Sequence, residues 1–234
     1  MLELQNINTF YGEFHAIRDV SFKVGEGELF LIVGPNGHGK STLLKTLCGL
    51  LRPASGHVIF NGREITKLFT DRIVKMGLVY VAEDRHLFPQ LTVMQNLKLG
   101  AYNLNARGKE KENLDYVFQL FPSLSEFQDR HASTLSGGEA RMLTLGRGIM
   151  SCATFLAIDE PSFGLAPILR NQVFNRINDI NTNGITVLLV EQNVTHVLDF
   201  VDRVCLLEDG RIVFDGAKAE ALLNDHVKEV FLGG

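Results

Sequence analysis

Gly34-Pro35-Asn36-Gly37-His38-Gly39-Lys40-Ser41-Thr42 follows the apolar run Leu29-Phe30-Leu31-Ile32-Val33 and precedes the helix-like Leu43-Leu44-Lys45-Thr46-Leu47. Gly34, Gly39, Lys40 and Ser41 stand at the places of G-x-x-x-x-G-K-[ST], in strand, loop, helix order, which is the pattern of polyphosphate binding. Glycines let successive backbone N–H groups turn inward around an anion, and the helix starting near Lys40 points its positive dipole end at the same anion. Lys40 supplies a cation for the terminal phosphates. Ser41 supplies a hydroxyl oxygen of the kind Mg²⁺ takes. A second chemical stretch is Thr154-Phe155-Leu156-Ala157-Ile158 running straight into Asp159-Glu160-Pro161. The first acid suits Mg²⁺ held through water, and the second suits polarising an attacking water. Taken alone, the pair also reads as a charged strand end in solvent. Beside a phosphate loop the site reading prevails, because nucleoside triphosphate hydrolysis needs both parts.

The elements around these residues follow from apolar runs and their breaks. Leu2 to Ile7, Val20 to Val24, Leu29 to Val33 and Val58 to Phe60 read as strands, with Gly25-Glu26-Gly27-Glu28 as a turn. Met76 to Val81 reads as another strand, ending in Glu83-Asp84; ligands in open α/β sheets bind at such C-terminal edges. Thr92 to Gly100, Lys109 to Leu120 and Gly138 to Met150 look helical, with Asn103 to Gly108 a polar, flexible connection. A helix is expected from Pro167 to about Asn181, then a strand from Thr186 to Val190 ending in Glu191-Gln192-Asn193. A helix near Thr195 to Phe200, strands at Arg203 to Leu207 and Arg211 to Phe214, and a closing helix from about Lys218 complete the pattern. Tyr11, before Gly12, reads equally as an edge-strand tyrosine or as a ring stacked on a nucleotide base.

Composition excludes several classes. The 234 residues, 45% hydrophobic and 21% charged, can bury a sizeable core without staples. The three cysteines, Cys48, Cys152 and Cys205, are far apart in apolar surroundings and read as buried thiols in a reducing cytoplasm. A formal charge of −4 argues against a broad nucleic-acid surface. No apolar run approaches the roughly 20 residues that span a bilayer, so a membrane role is expected to come through a partner. The start has no basic leader and nothing extends past Gly234, so neither a signal peptide nor an appended regulatory domain is expected.

Leu135-Ser136-Gly137-Gly138-Glu139, with Gly138 lying 21 residues before Asp159, resembles the signature loop of ATP-binding cassette (ABC) ATPases. A serine and two glycines opening a helix make a second anion-binding end without a lysine. In one chain that end is redundant; in a head-to-tail dimer it completes the partner's site. The resemblance covers essentially the whole chain. It implies an α/β core around a mainly parallel sheet, an antiparallel β portion, and a helical subdomain inserted at about 92–150 in a single 1–234 domain. It also implies ATP hydrolysis with Glu160 as base, and Tyr11 stacked on adenine. The cradle from Gly34 to Thr42, including His38, would hold the phosphates, with Ser41, Asp159 and Glu83 organising Mg²⁺ and Gln192 at the γ-phosphate. Ser136, Gly137 and Gly138 would act on the opposite protomer's ATP. Ser162-Phe163-Gly164-Leu165 would contact that protomer.

Glu83 and Gln192 stand where most members carry glutamine and histidine, and His196, four residues past Gln192, is not the switch histidine. With Phe88-Pro89-Gln90-Leu91-Thr92-Val93 and Pro161-Ser162-Phe163-Gly164-Leu165-Ala166-Pro167, these positions resemble the LivF-type ATPases of branched-chain amino acid importers. Close relatives of that subgroup serve amides and urea. The implied partners are membrane permease subunits, a second ATP-binding subunit (the same chain or a paralogue) and, indirectly, an external solute-binding protein. The implied place is the inner face of the cell membrane, with Leu87-Phe88-Pro89 a docking surface or a buried corner. A soluble ABC ATPase without a permease is the other class that fits. Four positions are peculiar to this chain: His38, Gly148 in place of alanine, and Ala140-Arg141 in place of two glutamines. His38 reads either as an outward-facing ring or, protonated, as extra charge that would raise ATP affinity as pH falls through about 6.5.

Overall fold

The computed structural model describes residues 1–192, 194 and 197–232. The N-terminal part runs β1 (Leu2–Tyr11), β2 (Phe14–Val24), β3 (Leu29–Val33), α1 (Lys40–Leu47), β4 (Ser55–Phe60), β5 (Arg63–Glu64), α2 (Thr70–Lys75) and β6 (Leu78–Val81). Helices alone follow: α3 (Val93–Gly100), α4 (Leu104–Gly108), α5 (Glu110–Leu120), α6 (Pro122–Glu126), a 3-10 turn at Ala132–Thr134, and α7 (Gly137–Ile149). The chain ends with β7 (Phe155–Asp159), α8 (Pro167–Thr182), β8 (Thr186–Glu191), β9 (Arg203–Glu208), β10 (Arg211–Ala217), α9 (Lys218–Ala221) and α10 (Asp225–Leu232).

Two sheets result. β1 and β2 alternate buried and open positions, as an antiparallel sheet with one wet face must, and the sheet order is β2-β1-β4-β5. The other sheet has the order β10-β9-β3-β8-β7-β6 and is parallel except for the β9–β10 hairpin. β3, β7 and β8 are buried at every position, which their unbroken Val, Ile, Leu and Phe runs allow only in a strand covered on both faces. Side chains alternate across such a strand. Leu29, Leu31 and Val33 therefore face the core shared with the helices, whereas Phe30 and Ile32 face the core shared with α1 and the antiparallel sheet. Because β3, β6, β7 and β8 are parallel, their C-terminal ends share one edge: Val33 lies opposite Glu191, Asp159 opposite Val190, and Val81 opposite Ile158.

Helix starts follow capping chemistry. Thr92 with Gln95, and Ser136 with Glu139, each form a reciprocal pair in which the side chains satisfy backbone N–H groups at the first turn. Asn103 accepts from the N–H of Ala106, and Ala106 is fully buried. Residues 104–108 are thus a short helix tied to the core, not the flexible connection expected from their polarity. The expected closing helix is two, α9 and α10. Cys48 and Cys205 are buried, but Cys152 is half-exposed and adopts a left-handed conformation (φ 60°), so the expectation of burial fails there. The helix expected near Thr195 to Phe200 falls partly on Thr195 and His196, which with Asn193 lie outside the described residues; Val197 to Phe200 form turns.

Candidate functional site

The phosphate loop leaves β3 at the shared edge and re-enters the fold as α1. Gly34 carries φ 153°, and a Cβ there would sit 2.0 Å from the carbonyl oxygen of Leu207. Gly39, the residue before α1, is left-handed (φ 102°), and a Cβ would meet the carbonyl of Ala16 at 2.8 Å. Both spacings in the motif are therefore steric requirements of this fold. Lys40, almost fully buried, donates from Nζ to the carbonyls of Gly34 (2.8 Å) and Pro35 (3.1 Å), and lies 3.4 Å from Glu160 Oε1.

The acidic strand end meets this loop. Ser41 Oγ donates to Asp159 Oδ1 at 3.0 Å, and Tyr80 Oη donates to Asp159 Oδ2 at 2.7 Å. Asp159 is 1% exposed, so both oxygens are held by neighbours of opposite polarity rather than by bulk water. Burial and the Asp159 charge push the Tyr80 phenol well up, which keeps it a proton donor. Glu160 has φ 40°, a backbone conformation that costs a non-glycine residue about 1 kcal/mol or more and marks functional positions. Its N–H donates to Val190 O at 2.9 Å, tying β7's end to β8's.

A cleft of about 330 Å³ opens above the loop. Asn36, Gly37, Gly39, Lys40, Ser41, Thr42, Glu83, Glu160 and Phe163 line it. Burial, then the charges of Glu160 and Asp159, push the Glu83 carboxyl up from its ordinary value. Three crowded acids and a serine hydroxyl form an all-oxygen donor set that a hard divalent cation would relieve. Among the described residues no three His, Cys, Asp or Glu side chains close a self-sufficient metal cage. Mg²⁺ binds through one or two carboxylates plus phosphates and waters, and Ser41 Oγ with Asp159 Oδ1, 3.0 Å apart beside the loop, is an oxygen pair of the kind it takes.

The remaining expected residues lie elsewhere. Tyr11 is half-exposed at the end of β1, opposite Phe14. Gln192 is exposed just past β8. Ser136 spends its hydroxyl on the N–H of Glu139 (3.4 Å), and neither it nor Gly137 and Gly138 lines the cleft. His38 is not outward-facing: its Nδ1 accepts from the N–H of Asp209 at 3.0 Å, and its carbonyl accepts from Gly210. The ring thereby fixes the loop to the β9–β10 turn. Leu87-Phe88-Pro89 divides its roles: Leu87 packs on the helical core, while Phe88 is 52% exposed beside a groove of about 500 Å³ between β6, α3 and α7.

Three contributors escaped sequence reasoning. Tyr80 read as one more strand residue, although strand alternation put it on the face that α1 covers. Arg141 stood out only as half of an unusual pair in the signature helix, with no role attached to it. Glu191 read as a polar strand end, yet it is 2% exposed and accepts from Ser162 N (2.9 Å) and Ser162 Oγ (3.0 Å). Burial pushes its carboxyl up to about 7, against the pull of the Ser162 bonds.

A glycine loop at the C-terminal edge of a parallel sheet, its lysine buried against an acid that follows β7, two strands away in the same sheet, defines a phosphate-loop nucleoside triphosphatase. The chain belongs to the ABC transporter family, whose profile matches residues 17–163. It is 42% identical to the high-affinity branched-chain amino acid transport ATP-binding protein BraG of Pseudomonas aeruginosa, over all of both chains. It is 38% identical to the probable branched-chain amino acid transport ATP-binding protein LivF of Archaeoglobus fulgidus, covering all of this chain and 99% of that one. Among solved structures it is similar to the ADP conformation of an ATP-binding cassette of an ABC transporter, with a TM-score of 0.86 and 31% identity over all of this chain and 99% of the other. It is an ATPase of the ABC type, and no described helix is long and apolar enough to cross a membrane.

Proposed function

We propose that this chain is the energy-coupling ATPase of a branched-chain amino acid importer, hydrolysing ATP between two protomers. The observation that carries the dimeric reading is the division of the site. One chain presents a cleft lined by the phosphate loop, Glu83 and Glu160, while the second anion-binding helix end, Ser136 to Gly138, lies outside it. A two-fold partner, identical or paralogous, supplies the missing side. Phe163, 59% exposed at the cleft, and Ile168, 70% exposed, are apolar surface for that partner to cover.

In this reading the cradle from Gly34 to Thr42 and Lys40 hold the β- and γ-phosphates, and Tyr11 stacks on adenine. Lys40 now neutralises Glu160 at 3.4 Å. Once phosphate oxygens draw its ammonium away, Glu160 is left an ionised carboxylate beside the γ-phosphate, able to accept the proton of the attacking water. Gln192 orients that water or the γ-phosphate from the end of β8. Ser41, Asp159 and Glu83 would hold Mg²⁺, which neutralises charge on the phosphates during transfer. Catalysis is mainly positioning and charge stabilisation.

The helices from α3 to α7 form the inserted subdomain, and the groove beside it is the dock for a cytoplasmic segment of the permease. Its walls include the exposed Leu50, Phe88, Leu99 and Tyr102. The chain then works on the inner face of the membrane. The test is reconstitution with the permease and its external binding protein in proteoliposomes. ATP hydrolysis should be stimulated several-fold by binding protein loaded with leucine, isoleucine or valine. Stimulation by urea or a short amide instead, or none with any permease, would overturn the assignment.

A further inference from the structure

The stretch from Ala82 to His86 carries no strand or helix of its own, so its backbone carbonyls need partners from outside. One face of α7 provides them. Arg141 donates from Nη1 to Ala82 O (3.0 Å) and from Nη2 to Glu83 O (2.9 Å). One turn on, Thr144 Oγ1 lies 3.5 Å from Arg85 O, and after another Arg147 donates to His86 O (2.7 Å) and Arg85 O (3.2 Å). Positions three apart share a helix face, so α7 grips this segment like a rail. Arg141 is the grip nearest the cleft. It is 1% exposed, makes no salt bridge with Asp or Glu among the described residues, and its Nε is without a hydrogen-bond partner among them. An arginine buried this way is spent on fixing two carbonyls, which its planar fork does and a flexible amine does not.

We propose that Arg141 is a positioning residue that locks the Glu83 segment to the signature helix, so that the Mg²⁺ side of one site and the Ser136 end serving the opposite site move as one body. This rests on the reading of Glu83 as a group on the Mg²⁺ side. Partners that orient a metal-side ligand without touching the metal typically change affinity or activity about 10-fold or more when removed. Arg141→Gln keeps one amide donor, and Arg141→Lys keeps the charge without the fork. A residue serving only stability would lower the melting temperature and leave the Mg²⁺ dependence alone.

The experiment compares purified wild type, Arg141→Gln, Arg141→Lys and Glu83→Ala for thermal melting, ATP binding without Mg²⁺, kcat, and the Mg²⁺ concentration giving half-maximal hydrolysis. Both Arg141 variants should fold and bind ATP within about twofold of wild type, while kcat falls about 10-fold and half-saturation by Mg²⁺ rises about 10-fold, in step with Glu83→Ala. Arg141 variants with wild-type kcat and Mg²⁺ dependence beside an impaired Glu83→Ala would overturn the proposal. So would the failure of both variants to fold, which would make Arg141 a core cross-link. A Glu83→Ala variant with unchanged Mg²⁺ dependence would instead overturn the reading of Glu83 on which the proposal stands.

Discussion

Glu191→Gln should remove a pH dependence of stability that the wild-type chain carries at the centre of its sheet. Glu191 is 2% exposed, its oxygens are engaged by Ser162, and its carboxyl is pushed up to about 7 from an ordinary 4.5, chiefly by burial. Between those values the folded chain holds a proton that the unfolded chain has released. Stability from this group is therefore fully present below about 4.5 and is lost as pH rises through about 7. The loss is at most about 1.4 kcal/mol per pH unit, or about 3 kcal/mol over the window. Glutamine is neutral at every pH in question, and its amide oxygen still accepts from Ser162 N while its nitrogen donates to Ser162 Oγ. In a domain of this size about 3 kcal/mol corresponds to roughly 6–12 °C in melting temperature. Nucleotide-free wild type and variant are to be melted across about pH 5 to 8, and the difference between the two curves isolates Glu191 from all other carboxylates. The variant should match wild type near pH 5 and be the more stable near pH 8. Parallel curves, or a variant that loses stability at high pH relative to wild type, would refute the buried, raised carboxyl.

Lys40→Ala should abolish measurable ATP hydrolysis, with a fall of at least about 100-fold in kcat/KM, because the loop loses its cation and Glu160 its partner; residual activity within tenfold of wild type would count against the cradle. His38→Ala should cost about 1 kcal/mol in a denaturant titration through the lost bond to Asp209 N, while ATP affinity keeps the same flat profile from about pH 5.5 to 8; an affinity that climbs in acid for wild type alone would restore the charge reading. Gly148→Ala and Gly100→Ala form a pair. The first gains about 0.5–1 kcal/mol of helix propensity against a contact 3.3 Å from Val81 Cγ2, and should change stability by less than about 1 kcal/mol. The second forces a Cβ to 2.2 Å from Arg147 O across the α3–α7 contact and should cost several times more, about 3 kcal/mol.

Much of the site was legible because its signals are local. The Gly34 to Thr42 loop, the acidic end of β7 and the Ser136-Gly137-Gly138 helix start each occupy a few consecutive residues whose types follow from backbone conformation and strand burial. The meeting of the first two was legible as well, since parallel strands deliver their C-terminal ends to one edge, whereas the Ser136 helix start lies outside the cleft. What stayed hidden depends on contacts distant along the chain. Tyr80 reaches Asp159 across 79 residues, and Arg141 reaches Glu83 across 58. His38 finds Asp209 across 171, which no pattern around the phosphate loop announces. The short helix at 104–108 was missed because polarity outweighed one signal that was present, the capping Asn103 before the buried Ala106. β1 and β2 run longer than their apolar runs because every second residue faces water.

The composite site is the central claim, and Glu160→Gln tests it most directly. The amide cannot take a proton from water, while the loop, Lys40 and the acidic edge still hold the nucleotide. Analytical ultracentrifugation of the purified variant with saturating Mg-ATP should show a stable dimer that dissociates with Mg-ADP. Addition of Ser136→Arg to the same chain should prevent it. A Glu160→Gln chain that binds ATP fully and stays monomeric would contradict a site shared between two protomers.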